Sequence, residues 1–335
     1  MPSWHEHTIA VIMTVKNDPV GCATTLSSLT AQTRPPDEII VVDGGSTDET
    51  LRLIRQYRSS LPQLRVIDSP GSNIAHGRNV AARAVRCDII ASTDSGCRAE
   101  PDWVENLLKP FMQDAKVEFV AGFYRVDAHS LLEQVVGLAT MRGQLDPVCT
   151  KSFNASARSM ALTKALWTRA GGWPEWLHFS EDTLFDHKIR SMNAGWYYAG
   201  NAVVHWRPRQ TLGAIARQFY HYATGRGHTR IDAASYIYDL RNAVFVGLGL
   251  ASSIVTPWAL FPLIAITLYF YVWRFHHKCV RIARHTKRWV AYPLCLCIMW
   301  AIVAANIAGF TVGTVQRRRD RKRFQISMDT YLAGV

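Results

Sequence analysis

The sequence predicts an α/β fold, in which a mostly parallel sheet is flanked by helices, followed by a C-terminal helical membrane segment. Short apolar runs rich in β-branched residues alternate with helical patterns through the first two thirds of the chain, which is typical of βαβ units and a doubly wound sheet. Two long stretches near the C-terminus contain no charged residue. Most of the net charge of +12 lies in the short segment between those stretches and in the tail after them.

The most informative stretch is IIVVDGGSTDET, which begins at Ile39. Its first four residues are apolar and β-branched, which predicts a strand buried on both faces of a parallel sheet. Asp43 follows where this strand ends, and the two glycines after it allow a sharp turn. Ser46 and Glu49 have the spacing of a capping box and predict a helix start. A carboxylate in this position lies where open α/β sheets bind ligands.

The elements on either side continue the alternation. We predict a first strand at His7–Val15, then a helix capped by Asp18 with Pro19 as its first residue. Further strands are predicted at Arg65–Ile67 and Ile89–Ser92. Neither early strand is followed by a GxGxxG motif, which disfavours a dinucleotide-dependent dehydrogenase.

The later part of the α/β region has weaker patterns. Ser180, Glu181 and Asp182 open a predicted helix, although carboxylates in a first helical turn also favour the helix dipole. The other predictions are, in chain order, a strand at Val117–Tyr124, an extended segment at Phe153–Ser159, a helix at Met160–Ala170, and extended pieces at Trp196–Ala199 and Ala202–Val204.

Two uncharged segments, Ala243–Trp273 and Trp289–Gln316, exceed the ~20 residues needed to cross a bilayer. Aromatic residues crowd their ends, as at membrane interfaces. Two full spans would place a basic loop on the far side, against the positive-inside tendency, and Pro257 and Pro262 leave open a re-entrant hairpin. We expect the basic run Arg317–Arg323 to bind anionic lipid.

Composition excludes several classes of protein. Because the positive charge belongs to the C-terminal appendage, it does not indicate a nucleic-acid-binding main domain. The seven cysteines are scattered and form no CxxC pair, which fits a reducing compartment and argues against a disulfide framework or a zinc site. We expect no signal peptide, since Met1–His7 is polar and the apolar run after it is short.

Six motifs occur in an order and spacing that together resemble the family 2 inverting glycosyltransferases, which have a GT-A fold. These motifs are Val42–Asp48, Gly77–Asn79, Thr93–Gly96, Gly171–Trp173, Ser180–Asp182 and Val204–Trp206. With Arg217–Gly227 and the hydrophobic C-terminus, the chain is most similar to the membrane-associated, succinoglycan-type branch that builds bacterial exopolysaccharides. The resemblance implies a glycosyltransferase domain (1–230), a connector with two membrane segments (231–316) and a basic tail (317–335).

The resemblance implies how the donor is bound. Asp43 would bind the base of a nucleotide-sugar, with Arg78 close to the nucleotide. Asp94 would hold the ribose and help to position a divalent metal, Mn²⁺ or Mg²⁺, on the diphosphate. We also expect Thr14 and Asn17, at the end of the first strand, to bind the nucleotide-sugar.

The resemblance also implies the catalytic groups. Asp182 would be the general base that deprotonates the acceptor hydroxyl, and Glu181 would orient the acceptor or its loop. His205 could complete the metal shell around Asp94, because imidazole suits Mn²⁺. The family often has Asp-x-Asp where this chain has Asp94-Ser-Gly96, which weakens the expected metal site.

The segment Arg217–Gly227 allows two interpretations. Ile215, Phe219 and Tyr222 have helical spacing, so the segment could be an amphipathic connector lying at the bilayer interface. Alternatively it could close over the diphosphate, with Arg217 or Arg226 as a cationic clamp.

The expected function is transfer of a hexose from a nucleotide-sugar, with a UDP-sugar as the expected donor, to a hydroxyl of a lipid-linked saccharide at the cytoplasmic face of the inner membrane. Nucleotidyl transfer is disfavoured, because no glycine-rich phosphate loop follows the first strand. A non-catalytic membrane scaffold that binds a nucleotide-sugar or a partner synthase is the other alternative. Gly96 motivates the scaffold, whereas Glu181 and Asp182 oppose it.

Overall fold

The computed structural model describes residues 7–150 and 153–334, which divide into two compact units. The first unit comprises the described residues within Met1–Arg125, Val148–Arg207 and Ser327–Val335, and the second those within Val126–Pro147 and Pro208–Ile326. The predicted boundaries lie after residues 230 and 316, whereas this division assigns 126–147 and 208–326 to the second unit.

The first unit is built on an eight-stranded sheet. Its strands are β1 (Ile9–Val15), β2 (Glu38–Asp43), β3 (Leu64–Asp68), β4 (Ile89–Ser92), β5 (Cys97–Ala99), β6 (Phe119–Val126), β7 (Met160–Thr163) and β8 (Trp196–Trp206). Their order across the sheet is β3-β2-β1-β4-β7-β6-β8-β5. The first four in this order are parallel, β7 runs antiparallel to β4 and to β6, and β5 pairs antiparallel with β8. The predicted α/β fold is confirmed.

Helices cover both faces of this sheet. Those of the first unit are α1 (Pro19–Thr30), α2 (Thr50–Gln56), α3 (Ile74–Ala84), α4 (Trp103–Gln113), α6 (Lys164–Ala170), α7 (Glu181–Ser191) and α13 (Ser327–Ala333). Alternate residues of β1 enter two separate cores, one with α1, α2 and α4 and the other with α3, α6 and α7. Because both faces are buried, β1 and β2 are continuous apolar runs rather than alternating ones.

The last helix of the chain, α13, packs within the first unit. The hydroxyl of Tyr331 donates to the carbonyl of Gly172 at 2.7 Å, and the Lys188 ammonium lies 4.1 Å from the centre of the tyrosine ring. Burial raises the pKa of Tyr331. The C-terminal segment therefore supports the loop that begins at Gly171 and precedes α7.

The structure corrects the helix predicted at Met160–Ala170. Met160–Thr163 forms β7, and only Lys164–Ala170 is helical, with the Thr163 hydroxyl accepting from the backbone N–H of Leu166 at 3.0 Å. The strand pairs with β4 on one side and β6 on the other, and Met160, Ala161 and Leu162 are fully buried. Pairing between two neighbours distant in sequence outweighs the local helical pattern.

The predicted capping box at Ser46 and Glu49 is also wrong. Helix α2 begins at Thr50, and the Glu49 side chain makes no cap hydrogen bond. Instead, Oδ1 of Asp48 accepts from the backbone N–H and the hydroxyl of Thr50 at 3.0 and 2.6 Å. The Ser46 hydroxyl instead donates to the Asp43 carboxylate and accepts from the backbone N–H of Asn17, so it does not cap the helix.

The second unit is helical. Its helices are α5 (Leu131–Thr140), α8 (Leu212–Thr229), α9 (Ala233–Val255), α10 (Leu260–Leu268), α11 (Arg274–Thr286) and α12 (Ala291–Arg319). Among the described residues, α12 alone is long and apolar enough to cross a membrane, by length and composition. The other uncharged segment is interrupted after Val255 by a 3₁₀ turn at Pro257–Ala259, so it does not form the second continuous span that we predicted. The break lies at Pro257, and a re-entrant hairpin there stays a prediction.

Helices α8 and α12 pack closely within the second unit. A Cβ added at Gly309 or Gly313 of α12 would lie 2.2 Å from the carbonyl oxygen of Tyr220 or Thr224 of α8. Small residues spaced four apart let two helix backbones approach each other, as in many membrane helix pairs. Helix α8, which contains Arg217 and Arg226, is therefore in close backbone contact with the candidate membrane helix.

Candidate active site

The carboxyl ends of three parallel strands form one edge of the sheet. β2 and β4 lie on opposite sides of β1, with Val15 in register with Asp43 and Ile12 in register with Ser92. Adjacent strands are about 4.8 Å apart, so Asp43 and Asp94, each at the end of its strand, flank β1 across roughly 10 Å. This is a topological switch point, where doubly wound sheets bind their ligands.

Asp43 is held by its own turn. Its Oδ2 accepts from the backbone N–H groups of Gly45 and Ser46 at 2.9 and 2.8 Å, and the Ser46 hydroxyl donates to Oδ1 at 2.5 Å. The residue is almost fully buried. Since a carboxylate oxygen has two acceptor positions, Oδ1 retains capacity for one further donor.

Hydrogen bonds join the loop after β1 to the loop after β2, at the carboxyl ends of the strands. The backbone N–H of Asn17 donates to the Ser46 hydroxyl at 2.8 Å, and the Asn17 side-chain oxygen accepts from the N–H of Thr47 at 2.8 Å. Asn17 has a φ of 52°, in the left-handed region that asparagine tolerates better than most residues. Thr14, also predicted at this site, is half-buried beside Gly77 of α3. Asn17 therefore shapes the crevice through its contacts with the β2 loop.

Arg78 joins two of the predicted site carboxylates. Its two terminal nitrogens donate to Oδ1 of Asp94 at 2.7 Å and to Oε1 of Glu181 at 2.6 Å. Arg78 and Glu181 are buried, at 3% and 6% exposure, whereas the Asp94 side chain is 31% exposed. The structure thus brings Arg78, Asp94 and Glu181 together, with Asp94 forming the solvent-facing end of the network.

The charges of this network shift its pKa values. Burial opposes ionisation of Asp94, but the guanidinium groups of Arg78 and Arg158 outweigh it and lower the pKa of Asp94. Burial raises the pKa of Glu181, an effect that Arg78 opposes and Asp182 reinforces. Burial also disfavours the charge on Arg78, yet the surrounding carboxylates raise its pKa above the ordinary value.

Asp182 differs from its neighbour Glu181. It is half-buried, and its Oδ1 accepts from the backbone N–H of Thr183 at 2.7 Å. Among the described residues it has no salt-bridge partner, whereas Glu181 is paired with Arg78. Ser180, just before the helix, has a left-handed φ of 63°, a strained conformation for a serine. The turn presents one paired and one unpaired carboxylate side by side.

The predicted metal site is not assembled. His205 Nε2 lies 3.0 Å from Oε1 of Glu100, and Asp94 binds Arg78. Gly96, where the family often has a second acid, has a φ of 87° that strains any side chain. Within residues 7–150 and 153–334, no three His, Cys, Asp or Glu side chains are grouped to hold a metal ion. These residues do not fit a preformed divalent site.

The clamp residues lie in the second unit. Arg217 is exposed on α8, and Arg226, on the same helix, donates to Oδ2 of Asp232 at 2.5 Å. Their role toward the diphosphate stays a prediction.

Arg158 is a site residue that the sequence analysis missed. Its Nε lies 4.0 Å from Oδ2 of Asp94, and its guanidinium carbon lies 4.3 Å from the ring centre of Trp206 and 5.4 Å from that of Tyr124. The segment Phe153–Ser159 was predicted only as extended, and no local pattern distinguishes this arginine. It adds a second cation beside Asp94.

Hydrogen bonds join α3 to the loop before α7. Asn79 donates to the carbonyl of Trp173 and to Oε1 of Glu175, both at 2.8 Å, and accepts from the N–H of Trp173 at 2.8 Å. His76 Nδ1 lies 2.7 Å from Oε2 of Glu175. These contacts bring the motifs Gly77–Asn79 and Gly171–Trp173 together in the first unit.

Asn79→Ala should loosen this loop, because it removes four hydrogen bonds at a buried position, including a long one of 3.4 Å from the Trp167 indole. We expect a loss of about 1–3 kcal/mol in the free energy of unfolding and faster hydrogen exchange at residues 172–177. Hydrogen–deuterium exchange measured by mass spectrometry checks this. Arg83→Ala is the control, since it removes one exposed contact to Glu175 and should leave exchange at 172–177 nearly unchanged.

Comparison with known proteins agrees with this geometry. Residues 10–160 match the family described as "Glycosyl transferase family 2". The mannosyltransferase PcManGT from Pyrobaculum calidifontis, solved with GDP-Man and Mn²⁺, has a TM-score of 0.52 and 18% identity over 99% of this chain and 86% of its own. At that identity the likeness shows the fold alone. The fold is that of the GT-A glycosyltransferases.

Curated relatives match over parts of their length. Validoxylamine A glucosyltransferase of Streptomyces hygroscopicus subsp. limoneus is 30% identical over 141 residues, covering 39% of this chain and 31% of the relative. Chondroitin synthase of Escherichia coli is 35% identical over 83 residues, covering 25% of this chain and 12% of the relative. The chain thus spans less than a third of these relatives. Residues 10–160 are a glycosyltransferase family 2 domain.

Proposed function

We propose that this protein is a membrane-bound inverting glycosyltransferase that moves a hexose from a nucleotide-diphosphate sugar to a hydroxyl of a lipid-linked acceptor. The observation that carries the proposal is the pair of carboxylates at the start of α7. Glu181 is neutralised by Arg78, and Asp182 is left to accept a proton. The strand-end crevice that Asp43 and Asp94 flank would hold the donor.

The proposed reaction is a single displacement. Asp182 takes the proton of the acceptor hydroxyl while the hydroxyl oxygen of the acceptor attacks the anomeric carbon. The nucleotide diphosphate leaves from the opposite face of the sugar. Asp43 orients the nucleotide through its remaining acceptor position, and Arg158 provides positive charge beside Asp94 for the leaving diphosphate. Glu181 positions Asp182 and the acceptor loop through its contact with Arg78.

The membrane part of the proposal rests on the second unit. Helix α12 is a candidate span, and an enzyme fixed to the cytoplasmic face of the inner membrane would meet a lipid-linked acceptor on the same surface. The alternative of a non-catalytic scaffold is favoured by one observation, the left-handed Gly96 in place of a metal-binding acid. The scaffold should bind nucleotide-sugar without releasing nucleotide diphosphate.

Nucleotide-diphosphate release tests the function. The full chain, in membranes containing its native lipids, would be given a panel of UDP-, GDP- and dTDP-sugars with and without Mn²⁺. We expect release from one donor class, and dependence on Mn²⁺ would show that the diphosphate recruits the ion, since the side chains do not assemble a site. Binding of a donor without any release would overturn the catalytic proposal in favour of the scaffold.

A further inference from the structure

A basic cavity lies in the second unit, where α12 ends. It has a volume of about 430 Å³ and is lined by Arg230, Thr314, Arg317, Arg318, Arg321 and Gln325. Four arginines and no carboxylate face it. Bringing four like charges to one cavity is unfavourable unless an anion joins them. We propose that this cavity binds the phosphate or diphosphate group of a ligand.

The donors suit phosphate oxygens. Guanidinium groups bind phosphate through two parallel hydrogen bonds, and the Gln325 amide and the Thr314 hydroxyl add neutral donors. The hydroxyl oxygen of Thr314 is buried and has no hydrogen-bond partner among the described residues. An unpaired buried hydroxyl is costly, and a bound phosphate oxygen would satisfy it.

The cavity is held by contacts around His228. Its Nε2 lies 2.7 Å from Oε1 of Gln316, its carbonyl accepts from Arg317 at 2.5 Å, and its ring stacks on Phe324 at 3.9 Å. Phe324 belongs to the π-helical turn Lys322–Ile326, which also carries Gln325. The walls from α8, α12 and this turn are therefore fixed relative to one another.

The position of the cavity favours a lipid headgroup as the source of the phosphate. Thr314, Arg317 and Arg318 occupy the last turns of α12, the candidate membrane helix. The end of a spanning helix lies at the level of lipid phosphates. Arginines at a helix C-terminus also stabilise the helix by offsetting its dipole. The experiment must therefore distinguish binding in the cavity from the general attraction of the basic run for anions.

Two double variants make that separation. Arg318→Gln/Arg321→Gln removes two charges from the cavity, and Arg319→Gln/Lys322→Gln removes two from the same run at residues that do not line it. Binding of inorganic pyrophosphate and of dioctanoyl phosphatidic acid to the full chain in a neutral detergent would be measured by calorimetry at physiological ionic strength, where diffuse attraction is screened. Thr314→Val, of nearly equal volume, tests the hydroxyl.

We expect the cavity pair to raise Kd at least about tenfold and the neighbouring pair to raise it less than about twofold. Thr314→Val should raise Kd about threefold. If phosphatidic acid binds and competes with pyrophosphate, the site is assigned to lipid phosphate. If pyrophosphate binds and phosphatidic acid does not, the site is assigned to a soluble phosphate ligand. Equal losses in the two double variants, or no binding of either probe to the wild type, would overturn the proposal. None of these outcomes depends on catalysis.

Discussion

Asp182→Asn should abolish sugar transfer while leaving donor binding nearly unchanged. The amide keeps the shape of the side chain and can still accept from the N–H of Thr183, but it cannot take a proton from the acceptor. Loss of a general base costs ~10²–10⁴-fold in rate. Turnover of the purified full chain, followed as nucleotide-diphosphate release, and donor affinity, measured by calorimetry, would be compared in the same preparation.

Asp43→Ala provides the contrast, because it should weaken donor binding itself. The variant removes the carboxylate at the end of β2 and releases the Ser46 hydroxyl that joins the β1 and β2 loops. If Asp182→Asn and Asp43→Ala lost affinity and turnover alike, the division into base and donor-binding carboxylates would be wrong.

Asp186→Asn is a matched control on the same helix. Asp186 is buried and bonds Arg190 and the Trp196 indole at 3.1 Å each, so its loss should lower stability rather than chemistry. Its turnover per folded molecule should remain close to that of the wild type. Burial also raises the pKa of Asp186, which makes the neutral amide a mild replacement there.

The parts of the site that lie at strand ends could be predicted from the sequence, because the signals are local. The apolar run before Asp43, the proline after Asp18 and the turn after Ser92 each fix a boundary within a few residues. The structure confirms the cap at Asp18, whose Oδ1 accepts from the N–H of Gly21 at 3.0 Å. Parallel pairing then places these ends on one edge.

The contacts that the sequence did not reveal depend on pairing between distant segments. His205 meets Glu100 because β5 and β8 pair antiparallel, with Arg98 opposite His205, and a strand of three residues leaves no periodic signal. Arg158 reaches Asp94 from a turn that a β-bridge between Ser156 and Ser159 closes. The motifs were visible in the sequence, but which carboxylate would be paired and which left unpaired was not.

Arg78→Met should strongly destabilise the first unit. The substitution leaves Glu181 buried without its cation and removes a bond to Asp94, whereas methionine retains much of the apolar stem. Removing one partner of a buried ion pair costs about 3–5 kcal/mol. For a unit of this size that corresponds to a fall of roughly 6–20 °C in Tm, measured as thermal unfolding by tryptophan fluorescence.

Arg83→Met is the control for a charge lost from the same helix. Arg83 is 57% exposed and contacts Glu175 at 3.1 Å, so its loss should cost less than about 1 kcal/mol. A double variant, Arg78→Met/Glu181→Leu, should recover part of the stability lost in Arg78→Met, because it removes the stranded carboxyl group instead of leaving it buried.

Comparing Arg78→Met with Arg83→Met and with the double variant distinguishes two roles for Arg78, as a nucleotide ligand or as the cation that neutralises Glu181. The resemblance placed Arg78 close to the nucleotide, whereas its 3% exposure and two carboxylate partners place it inside the protein. An unfolding temperature for Arg78→Met equal to that of Arg83→Met, combined with loss of donor affinity, would make it a direct nucleotide ligand. A large fall in Tm, partly restored by Glu181→Leu, would instead show that Arg78 neutralises Glu181 and thereby keeps Asp182 the only carboxylate of that turn free to act as the base.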